Sequence, residues 1–301
     1  MRFFDWFAGV GGIRLGLEAA GHECVGACEV DPFARKVYEH RFGHAPLGDI
    51  RDVTAGQLPQ ADLWAGGFPC QDVSTAGKRA GIEEGTRSGL VWKLLDLAAA
   101  VRPQWLLLEN VPGLLSVDSG RGLGALLARL EDVGYVGAWR VLDAQGFGVP
   151  QRRRRVFLLA ERGARAGRCR EILALPKGVR GNSAPSRCKG ADESCHSSAH
   201  AFSSCSPTGS GGFGFGCDVS PTVRGTNVPA VTVAGGSPRR LTPRECERIQ
   251  GMPDDWTALE GAPDSKRYKA TGNSVAVPVL AWIGRRLATH ITTTKPRRST
   301  L

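Results

Sequence analysis

The chain has 301 residues, 42% hydrophobic and 23% charged, with a formal net charge of +10. No apolar run reaches the roughly 20 residues of a membrane span, and no apolar segment with a cleavage site follows Met1, so neither a membrane anchor nor a secretory signal is expected. Nine cysteines, an odd number at irregular spacings, fit reduced thiols in a cytoplasmic protein rather than a disulfide framework.

Phe3–Phe7 reads as a strand, and Gly12–Ala20 as a helix stopped by Gly21. A strand over Cys24–Val30 leads to a helix over Pro32–Phe42 with proline at its first position. Cys24 and Cys28, four apart in that strand, are expected on one face, in the core. Short strands follow at Leu47–Ile50 and Leu63–Gly66, and the polar, glycine-rich stretch from Asp72 reads as a long loop. Ser88–Val101 is a helix with Ser88 as candidate N-cap. Trp105–Glu109 is an apolar strand of buried type, Leu123–Val133 a helix, and Val136–Leu142 and Arg155–Ala160 strands. This alternation predicts an α/β fold, a Rossmann-like, mostly parallel doubly wound sheet covered on both faces.

From about Arg162 the character changes. Between Gln151 and Gly190 there are twelve Lys/Arg and two Glu, a basic band suited to a polyanion. Residues 181–220 are dominated by Ser, Gly, Cys and Pro, and strand-like pieces follow at Thr222–Arg224 and Ala230–Ala234. Thr242 and Glu245 fit a capping box opening a helix over Thr242–Gln250, with Pro243 at its first position. A last helix, Ser274–Thr289, is expected to pack back on the first domain. The expected organisation is a large domain over 1–164, a small irregular β-containing domain over 165–262, a segment over 263–290 that completes the large domain, and a basic, disordered tail over 291–301. Cys188, Cys195, Cys205 and Cys217 with His196 and His200 invite a zinc site. No C-x-x-C pair occurs among them, so a recognition loop with incidental thiols is the preferred reading and no metal is assigned.

The turn Asp5-Trp6-Phe7-Ala8-Gly9-Val10-Gly11-Gly12 lies at the first strand-to-helix junction, where glycines let a ligand approach the backbone. A nicotinamide dinucleotide is the obvious alternative, but the third glycine of its fingerprint would fall at Arg14. Glu29 ends the second strand, where a carboxylate can accept from ribose hydroxyls. Asp49 ends the third, within reach of an adenine amino group, and Phe7 offers a stacking face. Pro69-Cys70-Gln71 follows the fourth strand and opens onto the loop. A cysteine there is either a buried structural thiol or a nucleophile placed to meet substrate.

Taken together and in order, these segments resemble the DNA cytosine-C5 methyltransferases that use S-adenosylmethionine. The resemblance covers nearly everything except roughly residues 165–235. Asp5-x-Phe7-x-Gly9-x-Gly11-Gly12 resembles the family's cofactor turn. Glu29-Val30-Asp31 and Gly48-Asp49-Ile50 resemble its adenosine contacts. Cys70, Glu109 in Glu109-Asn110-Val111, and Arg153 and Arg155 in Gln151-x-Arg153-x-Arg155 resemble its catalytic residues. Arg240-Leu241-Thr242-Pro243-Arg244-Glu245 and Gln250-Gly251-Met252-Pro253 resemble the segment framing the small domain, and Gly272-Asn273-Ser274-Val275 the final cofactor motif.

The resemblance implies a defined chemistry. A Cys70 thiolate adds to C6 of cytosine, which makes C5 nucleophilic toward the sulfonium methyl and leaves S-adenosylhomocysteine as product. Cationic Arg153 or Arg155 raises the thiolate fraction. Glu109 holds or shares a proton with ring N3. The target base is extruded from duplex DNA, and the loop after Cys70 is a lid on which Gln71, Ser74, Lys78, Arg79 and Arg87 contact the substrate. The expected protein is monomeric and bacterial, archaeal or phage-encoded, with room for a cognate restriction endonuclease as partner. The rival readings are a tRNA cytosine-C5 methyltransferase of the same fold, a silent nucleic-acid-binding protein and a nicotinamide oxidoreductase. Intact Cys70, Glu109, Arg153 and Arg155 argue against the second, Arg14 against the third.

Overall fold

The computed structural model describes residues 1–69, 89–163, 167–175, 200–203, 215–217, 229–232 and 239–292. A six-stranded sheet runs in the order β2-β1-β3-β4-β6-β5, formed by β1 (Arg2–Trp6), β2 (Glu23–Cys28), β3 (Leu63–Gly67), β4 (Trp105–Asn110), β5 (Tyr135–Asp143) and β6 (Arg154–Arg162). The pairs β1–β2, β1–β3 and β3–β4 are parallel, and β6 alone runs antiparallel to both its neighbours. The α/β doubly wound architecture is as the alternation predicts. One consequence of the reversed strand was not visible in the sequence. The start of β6 lies at the same edge as the ends of the parallel strands, so Asn110 at the end of β4 stands opposite Val156 near the start of β6.

Strand alternation divides the core into two layers. Phe4, Trp6, Trp64, Leu106 and Leu108 pack on one side with α3 (Leu90–Val101) and α4 (Arg121–Asp132). Phe3, Leu63, Ala65, Trp105 and Leu107 pack on the other with α1 (Gly12–Glu18), α5 (Gly167–Leu173) and α8 (Val277–Thr292). α1 and α8 approach closely because Gly16 has no side chain: a Cβ there would overlap Leu280 and fall 2.8 Å from the Val277 carbonyl. α2 (Pro32–Phe42) starts on Asp31, whose carboxylate accepts from the amides of Phe33 and Ala34, and ends at left-handed Gly43.

Several expectations need correction. The third strand at Leu47–Ile50 reduces to a single parallel bridge between Cys28 and Leu47, because Asp49 caps a 3-10 turn over Ile50–Asp52 that ends the extended run. Cys24 and Cys28 lie on opposite faces. A register shift between Phe3 and Phe4 in the β1–β2 ladder inserts an extra residue, so Cys24 packs with Phe3 in one layer and Cys28 with Trp6 in the other. The last helix runs over Val277–Thr292 rather than Ser274–Thr289, and α7 (Asp264–Asn273) precedes it unpredicted. Its polar surface gives little apolar periodicity to read.

The capping box of α6 (Pro243–Ile249) is present as expected. Thr242 N donates to Glu245 Oε2 at 2.7 Å, and Glu245 N to Thr242 Oγ1 at 3.2 Å. A four-stranded antiparallel sheet, in the order β10-β9-β7-β8, joins β7 (His200–Ser203), β8 (Phe215–Cys217), β9 (Pro229–Thr232) and β10 (Arg239–Arg240). The strand expected at Thr222–Arg224, the Ser88 cap, the thiols of Cys188, Cys195 and Cys205 with His196, and residues 293–301 of the expected tail lie outside the described residues. Among the described residues no helix is long and apolar enough to cross a membrane.

His22 follows α1 and ties it to α8: its ring is 5% exposed, and Nε2 donates to the Gly284 carbonyl at 2.9 Å. Burial lowers the pKa of this imidazole below its ordinary value, so the fold favours the neutral ring. The unfolded chain therefore binds more protons in that range, and stability falls as pH drops through about 6.5 toward the folded-state pKa. Thermal melts from pH 7.5 to 5.0 should show a decline that His22→Gln, which keeps an N–H donor, partly removes. An identical pH dependence in the variant would show that another group sets it.

Candidate active site

The site is assembled at the edge where the parallel strands end. Phe7, directly after β1, has a left-handed backbone (φ 53), rare for an aromatic residue, which swings the chain out of the sheet into the glycine turn. Gly9 and Gly11 follow at φ 55 and 86. A Cβ on Gly9 would meet no protein atom within 4 Å, so the backbone there faces open space, whereas one on Gly11 would overlap the Phe42 ring and one on Gly12 would overlap Ser274 Oγ. The turn is thus open on one side and packed on the other.

Glu29 is half-buried beyond β2, and its carboxylate grips the turn. Oε2 accepts from Gly9 N at 2.7 Å, and Oε1 accepts from Val30 N and Asp31 N at 2.8 and 2.7 Å. Val30, beside it, is 59% exposed, an apolar side chain left open at the edge. Asp49 accepts from Arg51 N at 2.9 Å and pairs with the Arg51 guanidinium, whose hydrogen bonds hold its carboxyl below the usual range. Ile50 is 2% exposed and belongs to the core, so its side chain backs the site rather than opening onto it.

Asn273 is exposed at the end of α7, and Ser274 is buried against Gly12. Asp5, under the start of α1, is fully buried, and neither carboxyl oxygen has a hydrogen-bond partner. Burial pushes its pKa well above the ordinary value, with Arg14 opposing. Arg14 itself reaches sideways, 3.8 Å from the centre of the Phe42 ring and 2.8 Å from Glu18 Oε1. The close helix contact falls instead at Gly12 and Gly16.

A second cluster lies at the end of β4. Glu109 is paired in register with Gly67 of β3 on one side and Phe157 of β6 on the other. Arg155, diagonally placed on β6, brings Nε to 2.9 Å from Glu109 Oε1, with both side chains mostly buried. The contact is an ion pair without a well-aligned hydrogen bond, and Oε1 has no hydrogen-bond partner. A Cβ on Gly67 would fall 2.9 Å from Glu109 Oε2, so the carboxylate occupies the space a side chain would take.

The two arginines of the motif have different surroundings. Arg153 is 3% exposed, and Nη2 donates to the carbonyls of Gly272, at 3.1 Å, and Ser274. Arg155 is the arginine beside Glu109, while Arg153 fastens the start of β6 to the backbone at Gly272 and Ser274. Gln151, fully buried, donates to the Ile249 carbonyl at 3.4 Å.

Asn110 was not assigned a role from sequence. Its Nδ2 donates to Phe68 O at 3.2 Å and its Oδ1 accepts from Val111 N at 2.8 Å, so it holds the chain two residues before Cys70. Only its place inside the Glu-Asn-Val motif signalled it. Cys70, Gln71, Ser74, Lys78, Arg79 and Arg87 lie outside the described residues. Burial pushes the four described thiols up, Cys24 and Cys169 to about 11 and Cys28 and Cys246 to about 12, which leaves them protonated and unreactive at neutral pH.

The family model of C-5 cytosine-specific DNA methylase matches residues 1–174 and 194–289. The chain belongs to this family. It is 38% identical to the type II methyltransferase M2.BsuMI of Bacillus subtilis (strain 168), over 96% of this chain and 75% of that one. It is 30% identical to the type II methyltransferase M.HhaI of Haemophilus parahaemolyticus, over 97% and 95%. The S. pombe Dnmt2 methyltransferase superposes with a TM-score of 0.66 at 17% identity, covering 96% of this chain and 99% of that one, which speaks for the fold alone. The protein is a DNA cytosine methyltransferase.

The Gly67 contact gives a test of the carboxylate's placement. Gly67→Ala should leave the melting temperature within about 2 °C of the parent. Methyl transfer should fall at least about tenfold, because displacing a reacting group by under an ångström is costly. Transfer at the parental rate would mean that Glu109 tolerates the shift or does not act on the base.

Proposed function

We propose that this enzyme methylates C5 of a cytosine extruded from double-stranded DNA at a defined sequence, with S-adenosylmethionine as donor. The observation that carries the reading is the buried Glu109–Arg155 pair, set three residues along the neighbouring strand's exit from Cys70 and at the same sheet edge as the open glycine turn.

The residues present fit the cofactor. The open space over Gly9 admits a ligand against the backbone, Glu29 is anchored so that its remaining lone pairs can accept from ribose hydroxyls, and Val30 offers an apolar face to a base. Phe7, Gly11, Gly12, Asp49, Asn273 and Ser274 complete the proposed binding set. When bound, S-adenosylmethionine supplies an electrophilic methyl carbon on a sulfonium.

The protein's part is to activate the base. Cys70 thiolate adds to C6, its electron pair forming the S–C6 bond while the C5=C6 pair becomes available at C5 as the nucleophile. C5 then bonds to the methyl carbon as the bond from that carbon to sulfur breaks, with S-adenosylhomocysteine as the leaving group. A carboxyl at Glu109 donates to or shares a proton with N3, which draws electron density from C6. Arg155 keeps that carboxyl in place. A general base, for which a water suffices, then takes the C5 proton, the C5=C6 bond reforms and the Cys70 thiolate leaves. Arg153, joined to Gly272 and Ser274, acts as a positioning residue between the two halves of the site.

Sequence selection is assigned to residues 165–262, with the large domain over 1–164 and 263–290 performing the chemistry. The type II relatives support a restriction partner and a cytoplasmic setting in a bacterium or its phage.

The deciding experiment traps the covalent step. A duplex carrying 5-fluorocytosine at the methylated position should form a stable adduct through Cys70, because fluorine does not leave as a proton. Cys70→Ser should abolish both transfer and adduct while keeping S-adenosylhomocysteine binding. An adduct mapped to another cysteine, or turnover on tRNA but not duplex DNA, overturns the assignment.

A further inference from the structure

The glycine turn has little rigidity of its own. Gly9 and Gly11 flank Val10 with left-handed backbones that any neighbouring force can alter, since neither carries a side chain to restrain it. Among the described residues, two side chains from elsewhere hydrogen-bond to it. One is Glu29, on Gly9 N. The other comes from the far end of the chain: Trp256 Nε1 donates to the Val10 carbonyl at 2.7 Å, in a buried contact spanning 246 residues. Trp256 is 9% exposed and packs with Val10, Met252 and Val277.

The indole is itself held by an aromatic ring and a guanidinium. Phe42 meets it edge-on, with ring centroids 5.4 Å apart, and Phe42 is the ring that closes against Gly11. The Arg41 guanidinium lies 5.3 Å from the ring and donates through Nε to Trp256 O at 2.8 Å, and through Nη2 to the carbonyls of Asp255 and, at 3.5 Å, Ala258. Asp255 adopts φ 56, a left-handed backbone for a residue other than glycine. Its carboxylate is paired with Arg244 of α6 and, at 3.4 Å, with Arg267 of α7. A strained residue braced by two arginines, next to an indole aimed at one carbonyl, is a rigid support built for that carbonyl.

We propose that Trp256 is a positioning residue that fixes the shape of the glycine turn and thereby sets the affinity for S-adenosylmethionine. The inference rests on the cofactor reading above and adds a residue outside the proposed cofactor-binding and base-activating sets. Losing the N–H leaves the Val10 carbonyl buried without its donor, and the turn relaxes away from the geometry that presents Gly9 to the ligand.

Trp256→Phe removes the N–H and keeps a ring against Phe42 and Arg41. Calorimetry with S-adenosylhomocysteine should give a Kd about tenfold higher than the parent. Steady-state assays on unmethylated plasmid DNA should show KM for S-adenosylmethionine rising by a similar factor, with kcat and KM for DNA changed less than about twofold. Trp139→Phe, which alters an exposed indole on the far edge of the sheet, should match the parent in all four quantities. Should Trp256→Phe fail to fold, Arg41→Lys carries the test, since it loosens the support while keeping the indole N–H, and the same selective loss is expected.

An unchanged Kd in the folded variant, or a rise accompanied by equal losses in kcat and in KM for DNA, overturns the proposal. A parent protein that does not bind S-adenosylhomocysteine overturns the cofactor reading instead, and the positioning role with it.

Discussion

A carboxylate on one side and a packed wall on the other define the turn after β1, and the rest of the site is arranged around it. Glu29 pulls on Gly9 N from the open edge. Ser274, Val275 and Met252 press against Gly12 from behind, so close that no side chain fits at that position. Such an arrangement requires the last quarter of the chain to return to the first strand. The return is fixed by α8, which lies against α1 at Gly16, and by Lys269 of α7, whose Nζ stands 2.9 Å from the Asp31 carboxylate at the start of α2. Burial of Leu280, Ile283 and Leu287 on the α8 face stabilises the contact by about 1.5–3 kcal/mol per side chain. The exposed Lys269–Asp31 pair adds little to stability but selects the register of the contact.

The Glu109–Arg155 pair shows how topology and chemistry meet. A carboxylate at the end of a buried strand loses hydration, and that loss is offset only by a well-placed cation or by hydrogen bonds. A parallel neighbour would bring the wrong end of its strand to this edge. Because β6 is reversed, its first residues arrive beside the last residues of β4, and the arginine-rich start of β6 supplies the cation. The pair lacks an aligned hydrogen bond at Oε1. Truncating Arg155 alone would leave the carboxylate buried and unpaired, a costlier change than removing both partners.

Much of this was legible in the chain itself. The helix Pro32–Phe42 and the capping box at Thr242 and Glu245 follow from local chemistry, a proline at N1 and reciprocal side-chain bonds, and both are found where the sequence puts them. Strand positions along β1 to β6 follow from apolar runs, with ends shifting by a residue or two. The misreadings share a physical cause, dependence on partners distant in sequence. The strand at Leu47 ends early because Asp49 prefers a cap to an extended ladder, and the separation of Cys24 from Cys28 comes from a ladder irregularity that no periodicity in β2 announces. The reversal of β6 and the helix α7 rest on tertiary packing rather than on pattern.

Gln151, Arg153 and Arg155 illustrate why a motif can be visible while the roles within it are not. Only Arg155 lies within β6; Gln151 and Arg153 precede it in the chain. The surroundings of this stretch change along its length. Near Gln151 and Arg153 it is covered by the ends of α6 and α7, whose last carbonyls have no partners within their own helices, and the two side chains donate to them at Ile249, Gly272 and Ser274. At Arg155 the cover ends, and the guanidinium finds Glu109. Identical spacing therefore yields two side chains that donate to backbone carbonyls and one that meets a carboxylate, and what separates them is the point at which the C-terminal helices stop. The same helices that fasten Arg153 also back the glycine turn through Ser274 and Trp256. The glycine turn and the start of β6 are thus referred to one common wall, and a change in that wall reaches both.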